Sequence, residues 1–152
     1  MAYTTAEGRE KVLGDLSVAI RQIAVSLAAL GEAYEQLDER LADTLEEQLF
    51  RPVQSAYGRA RRTHAEFAAR SGLRAAAFGP VLPGAPSQSV QSLIERAVES
   101  AQDADQAIAE LQDSMLPVEV GDTELRAGLS QVRETLSAVP LRAREIVRVI
   151  GR

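Results

Sequence analysis

Apolar side chains recur through the first third of the chain at Leu13, Leu16, Ile20, Ile23, Leu27, Leu30, Tyr34, Leu37 and Leu41. The steps alternate between three and four residues without a break over four heptads, the a/d pattern of a coiled-coil seam. Ahead of it, Thr4-Thr5-Ala6-Glu7 has the form of a capping box and predicts a helix start. Beyond Leu41 the seam continues through Leu45, Leu49 and Val53 in steps of four, which relaxes a left-handed supercoil as a stutter does. Pro52 lies in this stretch. It lacks a backbone donor and crowds the preceding turn, so a kink or break is expected near Gln48–Arg51. The stripe resumes at Ala56, Ala60, His64 and Phe67, and Ser71-Gly72 supplies a stop.

A linker rich in Gly and Pro follows over 72–88, with Leu73, Phe78, Val81 and Leu82 to pack it down. Ser87 or Ser89 can cap the next helix, whose stripe is Val90, Leu93, Ala97, Ala101, Ala104, Ile108, Leu111 and Met115. Its alanines favour close approach of a neighbouring helix. After Pro117–Gly121, Asp122 or Thr123 can cap a last helix with Leu125, Leu129, Val132, Leu136, Val139, Ala143, Ile146 and Ile150. That stripe keeps its phase through Pro140, which predicts a kinked but continuous helix.

The pattern therefore predicts a single helical domain over 1–152, with helices over about 4–50, 52–71, 89–116 and 122–150. The fold class is all-α: an antiparallel three- or four-helix bundle with a long, Pro-kinked, coiled-coil-like first helix. A single helix over 4–71 would be about 100 Å long, more than two later helices of about 42 Å can cover. The uncovered seam, Leu13 to Leu41, is then expected to pair with a second copy in a homodimer. A break at Pro52 is the alternative and would close a four-helix bundle within one chain.

Composition supports the helical reading. Aromatic residues are only 4%, a poor alphabet for sheets, whereas Ala, Leu, Glu, Gln and Arg abound. There is no cysteine, which removes disulfides and thiolate ligands. The N-terminal sequence has no signal-peptide pattern, and Asp15 and Arg21 interrupt the most apolar stretch, so neither a leader nor a membrane span is expected. The expected location is cytoplasmic, with peripheral attachment to the inner face of the membrane as a variant. The net charge is −5, but residues 51–74 hold six arginines against Glu66. That segment is thus basic in an otherwise acidic chain. Arg51, Arg59, Arg62 and Arg70 fall within a quarter-turn on a helical wheel and are expected to form one outward stripe, with Arg61 beside it. Such a stripe is either a solvated face or a contact for an anionic partner, a membrane surface or an acidic protein. Nucleic acid is disfavoured, because aromatic interleaving and groove-reading motifs are missing.

No catalytic, metal or cofactor motif emerges, and none of the three is expected. The single histidine, His64, has Arg61 three residues before it, so the Glu-x-x-His pairs of di-metal bundles are missing. Ser-His-Asp chemistry would have to use this same residue. The acids Glu32, Glu35, Asp38, Glu39, Asp43, Glu46 and Glu47 are spaced as a solvated face.

The segment from Gly31 to Arg70, an acidic helix running into a leucine–proline kink and then a basic stretch, resembles the long first helix of BAR-domain proteins. Leu49, Pro52, Tyr57, Arg59, Arg61 and Arg62 carry the likeness. The resemblance covers about a quarter of the chain and implies an antiparallel dimer with a basic, membrane-facing surface. The later helices are shorter than that family's, and its paired lysine tips are absent. Together these features predict a non-enzymatic, self-associating helical scaffold or interaction protein. The alternative is an intracellular ligand-binding or adaptor bundle with a small apolar cavity beside the alanine-rich helix.

Overall fold

The structure, a computed structural model, describes residues 5–81 and 88–151. It is all-α, and its helices form four antiparallel rods. The first rod is α1 (Thr5–Gln36). The second is α2 (Glu39–Leu45), a π-helical turn (Glu46–Phe50) and α3 (Arg51–Arg70) in unbroken succession. The third is α4 (Val90–Asp113), followed by a short turn, α5 (Leu116–Glu119). The fourth is α6 (Thr123–Ser137) and α7 (Val139–Ile150).

The long first helix expected over 4–50 ends at Gln36, and the chain reverses through Leu37 and Asp38. Asp38 takes an extended backbone and its carboxylate accepts from the Leu41 N–H at 2.9 Å, an N-cap for α2. The break at Pro52 does not occur. The π turn absorbs the stutter instead: the Arg51 N–H reaches back five residues to the Glu46 carbonyl. Pro52 supplies no N–H to the preceding turn, and the Gln48 carbonyl accepts from Arg142 Nη1 at 3.5 Å. The proline is thus accommodated within the rod.

The other ends follow local chemistry. Gly72 adopts a left-handed backbone (φ 68°) and the Leu73 N–H returns to the Ala68 carbonyl at 2.9 Å, which closes α3. Ser89 caps α4 and Asp122 caps α6 through their side-chain oxygens. The alternative cap Ser87, the cap residue Thr4, and linker residues 82–87 lie outside the described residues. The last rod departs from the α-helix only at Ala138, whose backbone stays right-handed, so α7 continues α6 past Pro140.

Five contacts fix the directions. Ser17 meets His64, so α3 runs against α1. Ser26 Oγ donates to the Ala97 carbonyl and Gln36 to the Gln88 carbonyl, so α4 also runs against α1. Arg70 meets Asp122 at one end and Arg142 meets Gln48 at the other, so the last rod runs against the second. α3 and α4 therefore run parallel across the diagonal, and the linker, described over residues 73–81, leads from the end of α3 back along α1. Its Phe78 lies against α1 and α3: the ring meets His64 edge-on at 5.3 Å, and the Arg21 guanidinium sits 5.5 Å from its centroid.

This packing fills the seam from within the chain. Leu16, Ile20, Ile23 and Leu30 are fully buried and Leu13 nearly so. Leu27, Leu37 and Leu41 are half-buried, and Tyr34 is exposed. Of the seam expected to pair in a homodimer, Leu13, Leu16, Ile20, Ile23 and Leu30 are thus taken up within the chain, and only Leu27, Tyr34, Leu37 and Leu41 keep free surface. The physical reason is the early reversal at Asp38, which brings α3 back onto α1 and lets α4 cover the rest. Small residues on both sides, Ala19, Ser26, Ala29 and Ala33 on α1 and Ala97, Ala101 and Ala104 on α4, are buried where these rods pack. By length and composition α1 could cross a bilayer, but half of its most apolar stretch is buried against the other rods.

Candidate functional site

The second rod carries the arginine cluster, and the structure divides it among different tasks. Arg51 is well exposed and 3.9 Å from Glu46. Arg61 points to the linker side, its guanidinium 5.4 Å from the Tyr57 ring centroid. Arg70 is committed to the last rod: Nε and Nη2 donate to the two Asp122 oxygens, each at 2.8 Å, and Nη1 lies 2.8 Å from Glu124. This fork raises the Arg70 pKa, chiefly through the Asp122 hydrogen bond. Partial burial pushes the Asp122 carboxyl up, but Arg70 and the Leu125 N–H outweigh it and hold the group below its ordinary value. The pair ties the end of α3 to the start of α6.

Arg59 and Arg62 are left, and they share a groove. It lies between α3 and α6, has a volume of about 470 Å³, and is lined by Arg59, Arg62, Thr63, Glu66, Arg70 and Glu124, with Ala127. Among the described residues neither Arg59 nor Arg62 forms an ion pair. The Arg59 Nε is buried and meets no protein acceptor. Of the expected outward stripe, Arg59, Arg62 and Arg70 line this one groove, with Arg59 half-buried, and Arg51 stands apart from it.

Close packing sets the width of this groove. Gly128 on α6 lies opposite Thr63 on α3, and a Cβ placed on Gly128 would stand 2.7 Å from Thr63 Cγ2. Thr63 Oγ1 donates to the Arg59 carbonyl at 2.8 Å, which fixes that side chain. The groove opens beside this contact. Glu66, Asp122, Glu124 and the Thr63–Gly128 contact were not singled out as site features from the sequence. Only Asp122 gave a signal, and that was as a helix cap.

Two other features bear on chemistry. His64 is buried between α1 and α3. Ser17 Oγ donates to the Leu13 carbonyl at 2.8 Å and so accepts from His64 Nε2, 3.1 Å away. Burial lowers the His64 pKa, a backbone hydrogen bond at Leu13 opposes this, and the Arg21 charge lowers it further. The imidazole is thus neutral and donates toward Ser17, the reverse of what activates a serine nucleophile. Between α4 and α7 runs a more apolar groove of about 570 Å³, walled by Ile94, Val98, Pro140, Ala143 and Val147. The buried alanines of α4 do not line it. Among the described residues no three His, Cys, Asp or Glu side chains converge as metal ligands. Compared with protein-family models, curated proteins and solved structures, the chain matches none.

Proposed function

We propose that this chain is a non-enzymatic helical interaction protein that engages an anionic partner through the arginine-rich flank of its second rod. The observation that supports this reading is the α3–α6 groove, where among the described residues Arg59 and Arg62 form no ion pair, in an otherwise acidic chain. An unpaired guanidinium is a strong donor for oxyanions, and two on one wall hold an anion better than two isolated surface charges. Arg51 and Arg61 extend the positive flank on either side of the groove. The BAR-like reading of residues 31–70 predicts the same arginines as the contact, with an acidic membrane as the partner. The antiparallel dimer it implies would need a face other than the seam.

Co-sedimentation with acidic vesicles tests the reading. Binding should fall steeply between low and physiological salt, because exposed charges are screened over about 8–10 Å. Changing Arg59, Arg61 and Arg62 together to Glu should abolish it. Salt-insensitive binding, or binding that survives the triple change, would refute the assignment of this flank.

One observation favours a second reading, a ligand-binding or adaptor bundle. The α4–α7 groove is large enough for a small molecule and mostly apolar. A groove ligand should be displaced by Val98→Glu, and that substitution should leave vesicle binding unchanged.

A further inference from the structure

Charge, burial and shape single out the α3–α6 groove within the arginine flank. Arg59 and Arg62 sit three residues apart on α3, so their side chains rise from adjacent positions on one face. The two guanidiniums reach the groove from different points along the helix. A planar carboxylate is matched by one fork, whereas a tetrahedral oxyanion accepts from several directions at once. The Arg59 Nε is buried below the groove surface, so a guest in the groove meets Arg59 through its outer guanidinium nitrogens. Arg70 does not compete for the same ligand, because Asp122 and Glu124 already hold it. Glu66 lines the same groove and forms no ion pair among the described residues, though its charge also reaches Arg70; set against Arg59 and Arg62 it favours a singly charged guest over a doubly charged one. The groove has far more room than one phosphate needs, so it can accept whatever the phosphate is attached to.

We infer that the α3–α6 groove is a binding site for a single phosphate group, held by Arg59 and Arg62, with Arg70 as a positioning residue that fixes the facing wall. This rests on the reading that the arginine flank is the contact surface and narrows it to one pocket. The phosphate comes either from a lipid headgroup or from a free phosphate compound, and the same two arginines serve both.

The test is a titration of the full chain, followed by NMR at the arginine Nε–H resonances, at constant ionic strength set with chloride. Inorganic phosphate should shift the Arg59 resonance along a saturating curve while that of Arg61, outside the groove, stays in place. Arg62→Gln should weaken binding about tenfold, the effect of losing one charged hydrogen bond. Glu66→Gln should tighten it. Acetate should give a much weaker response than phosphate. A soluble short-chain phosphatidylglycerol that moves Arg59 at lower concentration than inorganic phosphate assigns the lipid source; the reverse order assigns the free compound. An Arg59 resonance that stays still, or drifts linearly together with Arg61, overturns the site. If vesicle binding persists in that case, the flank remains the contact and only the pocket is lost; if both are absent, the flank reading falls as well. Backbone spectra of each variant establish that the fold is intact.

Discussion

Replacing Gly128 with alanine puts a methyl group where α3 and α6 are closest. The new Cβ would lie 2.7 Å from Thr63 Cγ2 and 3.1 Å from Thr63 Cβ, with Oγ1 closer still. Both branches of the threonine are in the way, so no rotation of that side chain clears the space. Overpacking of this kind costs about 1–3 kcal/mol. Against it stands the gain of alanine over glycine inside a helix, about 1 kcal/mol. The expected net effect is a loss of about 0–2 kcal/mol, in place of the gain that an open helical site would show. Thr63→Ala removes both branches and leaves only the Cβ in contact. In that background Gly128→Ala should become neutral or stabilising, with a coupling of about 1–2 kcal/mol between the two sites. Urea midpoints of the wild type, both single variants and the double variant measure it. Additivity within about 0.5 kcal/mol would refute the close approach of these rods, because distant sites add to within that margin. The variant should also loosen the groove beside the contact.

The Arg70–Asp122 pair is partly exposed, so its Coulombic share is small, and the N-cap role of Asp122 is the larger part. Asp122→Ala should cost about 1–2 kcal/mol and Arg70→Ala less than about 1 kcal/mol, by urea denaturation. Because the Asp122 pKa is depressed in the fold, its contribution is full above the unfolded value of about 3.9 and fades as pH falls through the lower folded value. His64 acts in a window further up the pH scale. Its pKa is also lowered on folding, so the unfolded chain takes up the proton first, and stability should decline as pH falls below about 6.5. His64→Gln should flatten the wild-type slope between pH 7 and 5; an unchanged slope would show that the buried imidazole is not its source.

The stripes of the two later rods were legible because each pairs a clear cap with an unbroken phase: Ser89 before Val90, and Asp122 before Leu125. Gly72 likewise announced the end of α3. The reversal at Leu37–Asp38 was not legible, since no glycine or proline marks it and the heptad runs straight through on Leu37 and Leu41. Asp38 looked like one more acid on a solvated face, whereas it caps a new helix. Pro52, the strongest breaker by residue type, does not break the rod because the π turn before it supplies the extra residue. The seam was readable as a buried stripe, but its occupant was not: that depended on the missed reversal. For the arginines, a helical wheel gives direction but not reach. Arg70 finds its partner 52 residues away, on a helix whose position no local pattern fixes. Arg59 is half-buried where α6 comes close to α3, at the Gly128–Thr63 contact one turn on.

Backbone hydrogen exchange at two protein concentrations a hundredfold apart tests most directly whether the Leu13–Leu41 seam is a core or an interface. If the rods of one chain fill the seam, protection of residues 12–33 is high and the same at both concentrations. Protection there that appears only at the higher concentration would contradict the account and return the seam to a second copy.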